Sequence, residues 1–200
     1  RALDTLKKSD LIAAEDTRHT AILLNRYDVK KRLISFHSYN AARRKDQIIK
    51  FLKEGRNIAL VSDAGTPGIS DPGFVLIKGA IDHELPVRVI PGPTALISAL
   101  VISGKPTNKF IFEGFLSNKS SKRRKRLDFL KDEERTIILY ESCHRIGKFL
   151  KDVLEVMGDR DIALARELTK KFEEVRRGKT SEILGHFTEV KPRGEFVVII

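Results

Sequence analysis

The chain has 200 residues, 41% hydrophobic and 32% charged, enough for one large domain or two small ones with a real core. No apolar run approaches the roughly 20 residues of a bilayer span, and no secretory pattern opens the chain, so membrane-embedded and exported classes are set aside. The single cysteine, Cys143, excludes an internal disulfide framework and fits the cytoplasm, while a net charge of +11 favours a polyanionic partner, chiefly nucleic acid or an anionic membrane surface.

Residues 1–8 read as the end of a helix with no strand ahead of it. Strand candidates, most of them apolar runs, follow at 11–14, 33–36, 57–62, 87–90, 110–113, 136–140, 162–165, 172–177 and 196–200. Helical patterns lie between them. The clearest places Ile146, Phe149, Leu150, Val153, Leu154 and Met157 at i, i+3, i+4, i+7, i+8 and i+11. Asp16, Thr17 and Ser142 suit helix N-caps. The alternation predicts an α/β fold with largely parallel strands, and an antiparallel component late in the chain. The polar cluster Ser103-Gly104-Lys105-Pro106-Thr107-Asn108-Lys109 predicts a boundary, dividing the chain into domains 1–104 and 105–200.

The most informative segment begins at the end of the third run: Ser62-Asp63-Ala64-Gly65-Thr66-Pro67-Gly68-Ile69-Ser70-Asp71-Pro72-Gly73. Glycines let a ligand approach the backbone, and Asp63 stands where ligands bind in open α/β sheets. The loop at 62–73 is neither followed by Gly-Lys-Ser/Thr nor built as Gly-x-Gly-x-x-Gly, which disfavours a triphosphate there. A ligand with a carboxylate, an ammonium and a ribose diol suits backbone groups plus one aspartate, and S-adenosylmethionine has those groups. A plain strand-to-helix turn with Asp71 as N-cap explains the same residues structurally. Ile90-Pro91-Gly92-Pro93-Thr94-Ala95 repeats the strand, tight turn and helix arrangement.

Three acid–base clusters each follow an apolar run: Glu15-Asp16-Thr17-Arg18, Glu141-Ser142-Cys143-His144-Arg145 and Arg166-Glu167-Leu168-Thr169-Lys170. One such cluster is usually a capped helix with an ion pair; three suggest a polar site lined by strand ends. The run Lys122-Arg123-Arg124-Lys125-Arg126 lies in an amphipathic stretch, 119–131. Adjacent cations repel unless a polyanion neutralises them, which favours nucleic acid over a merely solvated face. The five histidines show no metal-ligand spacing, so no metal is expected. Cys143 beside His144 is not a nucleophile pair, because neighbours on a helix start point apart.

Together these segments resemble one family, the ribosomal RNA small-subunit methyltransferase I group within the tetrapyrrole methylase superfamily. Gly194-Glu195-Phe196 also fits, and the likeness runs from about residue 3 to 200. The resemblance implies two α/β domains, a mainly parallel sheet in the first and a mixed sheet in the second, with the methyl donor in the cleft between them. It implies a cytoplasmic homodimer that methylates the 2′-oxygen of a cytidine ribose in the decoding region of small-subunit rRNA, with S-adenosylmethionine as donor. Carried over by position, the donor contacts are Asp63, Ala64, Gly65, Thr66, Ile69, Thr94, Ala95, Tyr140 and Ala165. Two departures stand out. The family's opening strand, with its Pro-Ile-Gly-Asn-Leu-like loop, is missing, and Cys143 replaces the usual proline of Glu-Ser-Pro-His-Arg.

A ribose hydroxyl is a poor nucleophile, so a base would help; the candidates are Glu15, Asp16, Glu141, His144 and Glu167. Arg18, Arg145, Arg166 and Lys170, with the run at 122–126, would bind RNA phosphates. Two other functions fit parts of the sequence. A precorrin-type tetrapyrrole C-methyltransferase would share the donor loop, and a non-catalytic RNA-binding protein would share the basic charge.

Overall fold

The computed structural model describes residues 1–200. The chain divides into two compact units, Arg1–Pro93 and Thr94–Ile200.

The first unit runs α1 (Ala2–Lys8), β1 (Leu11–Ala14), α2 (Thr17–Arg26), β2 (Leu33–Ser35), α3 (Ala41–Lys53), β3 (Ile58–Val61) and α4 (Gly73–Asp82). Its three strands form a parallel sheet in the order β2-β1-β3. β1 is buried along its whole length, as expected of a central parallel strand covered on both faces. Alternation along β1 sorts the two cores. Leu11 and Ala13 join Phe36, Ile48, Ile49, Leu76 and Ala80 under α3 and α4, while Ile12 joins Leu6, Leu24 and Val29 under α1 and α2. The register sets Ala14 opposite Ser35 and Val61, so the chain leaves β1 and β3 side by side at one sheet edge.

The expected strand at 87–90 is not one. Residues 87–90 join no ladder, and Val87 and Val89 are 48% and 68% exposed. Pro86 and Pro91 bracket the run and withdraw two N–H donors, and valine favours a strand only where a surface receives it.

The second unit runs α5 (Ala95–Ser103), β4 (Phe110–Phe115), α6 (Ser120–Leu130), β5 (Thr136–Ser142), α7 (Ile146–Met157), β6 (Asp161–Arg166), β7 (Glu174–Lys179), α8 (Thr180–Glu189) and β8 (Glu195–Ile199). The sheet order is β4-β5-β8-β6-β7; β4 and β5 are parallel, and β8 is antiparallel to both β5 and β6. Leu127, Phe149, Leu150, Val153 and Ile183 cover one face together with Ile137, Leu139, Leu164 and Val198. Leu96, Ala99 and Leu100 of α5 cover the other, against Ile138, Ala163, Ala165 and Ile199. α5 therefore groups with the second unit, and the Ser103–Lys109 turn lies inside that unit rather than at its border. The mainly parallel first sheet and mixed second sheet are those expected. α7 spans the residues its periodicity indicated, because its apolar stripe is complete. Two details differ. Ser142 ends β5 and Arg145 takes the N-cap of α7, while β7 starts at Glu174, leaving Phe172 outside it and 63% exposed.

Candidate functional site

In the first unit, the loop after β3 is built by its own side chains. The Asp71 carboxylate accepts from Gly68 N at 2.8 Å and Gly73 N at 2.7 Å. Gly68 is at φ +92°, where other residues are strained, and a Cβ on Gly73 would come within 2.7 Å of Asp71 Oδ1. Pro72 takes the N-cap position of α4, so Asp71 works as the loop's internal clasp. Thr66 Oγ1 donates to Pro93 O at 3.2 Å, which ties this loop to the 91–93 turn.

Asp63 is held from the neighbouring strand end. Its N–H donates to Glu15 Oε2 at 3.2 Å, and its Oδ1 accepts from Asp16 N at 3.1 Å. His19 Nδ1 lies 3.4 Å from its Oδ2. The carboxylate is thus oriented yet one-third exposed, an acceptor ready for a ligand. His19 escaped the sequence reading, although it follows Asp16 by three residues in the first turn of α2. Asp16, His19 and Asp63 bring ligand-type atoms within 4.8 Å of one another, with Arg18 supplying the cation beside them. Asp16 caps α2 by accepting from Arg18 N at 2.8 Å and pairs with the Arg18 guanidinium at 2.6 Å. That pairing, first through the side chain and then through the backbone, holds its carboxyl well below the usual range and makes it a poor proton acceptor.

In the second unit, Tyr140, Thr94, Ala95 and Ala165 collect on the α5 face. Tyr140 Oη accepts from Leu96 N at 3.1 Å, and its ring meets Phe112 and Phe115 edge-on at 4.9 and 5.6 Å. Burial pushes the phenol pKa up. Thr94 is the N-cap of α5 without capping it, and its hydroxyl is buried with no partner.

Glu141 is one residue further along β5 and points to the opposite face. Its side chain is fully buried; Oε1 accepts from Ser142 N at 2.8 Å and lies 3.0 Å from Arg145 Nε. Its Oε2 has no partner, and burial pushes its pKa up. The two-residue strand period thus carries the candidate base Glu141 away from the face that holds Tyr140. Glu167, at φ +48°, accepts from Glu195 N at 2.9 Å and Lys170 Nζ at 3.0 Å. The Glu195 N–H, followed by Lys170, lowers its pKa and makes it a clasp between β6 and β8. His144 is exposed in the turn after β5.

The cations are also sorted. Arg123 is 4% exposed and pairs with Asp152 at 2.5 Å, a position inside the core and out of reach of a phosphate. Arg124 is paired with Asp152 and Glu155, and Arg126 with Glu113. The repulsion expected of five adjacent cations is relieved by these acids, brought from β4 and α7. Arg145 donates to Leu116 O at 2.6 Å and Arg166 to Arg193 O at 2.7 Å, while Lys170 bridges Glu167 and Glu195. Lys122 and Lys125 are exposed, and the Arg18 side chain is 86% exposed despite its pairing.

Comparison with known proteins identifies the family. The Tetrapyrrole (Corrin/Porphyrin) Methylases family matches residues 1–184. The ribosomal RNA small subunit methyltransferase I of Thermotoga maritima is 49% identical over the whole chain, which covers 90% of that protein. The Bacillus subtilis protein of the same name is 46% identical over the whole chain and 68% covered. A uroporphyrin-III C-methyl transferase from Thermus thermophilus, complexed with S-adenyl homocysteine, shares the fold. Its TM-score is 0.63 at 15% identity, covering 98% of this chain and 88% of that one. With identity near one-half along its full length and the same two-sheet fold, the chain belongs to the ribosomal RNA small subunit methyltransferase I family of the tetrapyrrole methylases.

Proposed function

We propose that the chain transfers a methyl group from S-adenosylmethionine to the 2′-oxygen of a cytidine ribose in the decoding region of small-subunit rRNA. The observation that carries the reading is the Asp63 carboxylate, fixed by its neighbours yet open to solvent, in a chain so close to its rRNA-methylating relatives. The residues present fit the donor. Asp63 offers an acceptor, the loop at 64–66 and Ile69 offer backbone groups and an apolar contact, and the buried Thr94 hydroxyl lacks a partner that a polar ligand would supply. Ala95, Tyr140 and Ala165 complete the proposed donor contacts. When bound, the donor supplies an electrophilic methyl on a sulfonium.

The chain's own part is to position reactants and receive a proton. Positioning is worth up to about 7–11 kcal/mol in favourable cases. The proton of the attacking hydroxyl must go to a base. Asp16 and Glu167 are held ionised by their partners, and Glu141 is buried on the other sheet face. This leaves Glu15 and His144 as the proposed acceptors. Arg18, Lys122 and Lys125 are the proposed phosphate contacts, with Arg124, Arg126, Arg145, Arg166 and Lys170 adding field from their paired positions. No helix is long and apolar enough to cross a membrane. The proposed substrate is rRNA or the assembled subunit in the cytoplasm. A homodimer is also proposed, supported by the outward face of α5, where Ile97 and Val101 are 41% and 69% exposed.

The test incubates the protein with isotope-labelled S-adenosylmethionine and, separately, unmodified small ribosomal subunits, naked rRNA and a precorrin. Label is expected on a cytidine 2′-oxygen of the rRNA, read by nuclease digestion and mass spectrometry. Transfer to the precorrin alone, or none at all, overturns the reading.

A further inference from the structure

The outward face of α6 carries a feature that charge alone does not explain. α6 buries Arg123, Leu127 and Leu130 and leaves Lys122, Lys125, Arg126 and Phe129 exposed. These four share one helical face, at i, i+3, i+4 and i+7. Phe129 is 74% exposed, although such a ring normally gains from burial. The Arg126 guanidinium lies over it, 4.7 Å from the ring centroid. Arg126 is itself fixed by Glu113, which accepts at Oε2 from Nε at 2.8 Å and at Oε1 from Nη2 at 2.6 Å. The ring is therefore braced by a planar cation whose charge is already matched. The one acid on this helix, Asp128, is matched by Lys131 at 3.0 Å. Lys122 and Lys125 remain as uncompensated cations beside an exposed aromatic ring.

An unpaired nucleotide has the complementary chemistry, a π-face for the ring and phosphates for the lysines. Resting on the rRNA-substrate reading above, we propose that this face of α6 is a stacking platform for single-stranded RNA. Phe129 stacks on an unpaired base, Lys122 and Lys125 take the flanking phosphates, and Arg126 braces the ring without contacting a phosphate. The basic run thus contributes two lysines to RNA, and its arginines serve the fold. A protein partner is disfavoured, because two unmatched lysines flanking a lone ring make a poor core for a protein interface.

The experiment measures binding of the full-length chain to a short unstructured RNA oligonucleotide and to its duplex by fluorescence anisotropy across a salt series. Phe129→Ala and Phe129→Leu are each expected to weaken single-strand binding about tenfold, with the salt slope unchanged and duplex binding little affected. Phe129→Tyr is expected to bind as the original does. Lys122→Ala and Lys125→Ala are each expected to lower the salt slope by about 0.7. Unchanged S-adenosylmethionine affinity in every variant reports that the fold is kept. If the unaltered chain binds no RNA, the rRNA reading fails and takes the platform with it. If it binds RNA, the lysine variants lower the slope and both Phe129→Ala and Phe129→Leu bind as the original, the platform alone is overturned. Loss of self-association in Phe129→Ala with RNA binding intact also overturns it, and assigns the ring to a second copy.

Discussion

The ends of β1 and β5 look alike in sequence, each an apolar run closing on an acid with an arginine a few residues on, yet the structure uses them in opposite ways. At the end of β1, Glu15 and Asp16 leave the sheet beside the end of β3, and all three carboxylates there are engaged by backbone N–H groups. They stay within reach of solvent, and the network orients Asp63. At the end of β5, Glu141 is still inside the strand, so its side chain is carried into the core beneath α6 and α7. Nearby, Asp152 of α7 is buried with Arg123. An acid just past a strand end can serve a ligand, whereas an acid in the last turn of pleat is committed to a face. One residue of register separates the two outcomes.

The largest expected effect probes the buried side. Asp152 gathers Arg123, Arg124 and Ser120, and it is the acid that pairs with the buried Arg123 guanidinium. Asp152→Ala leaves that guanidinium buried and unpaired, and is expected to cost about 3–5 kcal/mol in urea unfolding. A loss no greater than that of a surface substitution would mean that the second unit does not depend on this buried charge. Next in size is Asp63→Ala, expected to weaken S-adenosylmethionine binding about 10- to 150-fold by calorimetry, the range for a hydrogen bond to a charged group. Its thermal stability should change little, because Asp63 is at the surface. Unchanged donor affinity would remove the first unit's claim to the ligand.

Much of this contrast was legible in the chain, and the missing part has a definite cause. Apart from the mostly polar β7, the strands of both sheets announce themselves by apolar runs, and α7 by its stripe, since burial on a face imposes a period. The loop at 62–73 is legible because glycine, proline and aspartate have few other uses at a strand end. What local pattern does not carry is the partner across the fold. Nothing near Arg123 shows that Asp152 will meet it, so the run at 122–126 reads as one patch when the structure divides it into one buried arginine, two arginines in partly exposed ion pairs and two free lysines. His19 is illegible for the same reason: its meaning comes from Asp63, which lies in the loop after another strand. The run at 87–90 has strand composition, but a ladder needs a neighbour with free N–H and C=O groups, and composition does not supply one.

The smaller effects concern pH, and the two strand ends should respond with opposite signs. Glu141 has its pKa raised by burial above the usual 4.5, so the folded state holds its proton after the unfolded chain has released it. Between 4.5 and the raised value the folded state binds more protons, and stability falls as pH rises through that window. Glu141→Gln removes this titration. Its stability relative to the original chain should therefore improve as pH climbs through the window, on top of a constant cost for the lost Arg145 pairing. Urea unfolding at a series of pH values reads the difference, and a flat difference would show that Glu141 keeps an ordinary pKa in its buried place.

Asp16 runs the other way. Arg18 lowers its pKa below the usual 3.8, so its contribution is present above 3.8 and is lost as pH falls through the depressed folded value. Asp16→Asn keeps an acceptor for Arg18 N and gives up only the charge. The variant should be less stable than the original at neutral pH, and the gap should close on acidification. It should also narrow with added salt, because the pair is at the surface and is screened, whereas the Asp152 pair is screened far less. The effect is the smallest of the set, since exposed pairs are worth little. A gap that stayed constant with both pH and salt would show that Asp16 acts through its backbone cap rather than its charge, and would leave its role in seating Asp63 to the Asp16 N–H alone.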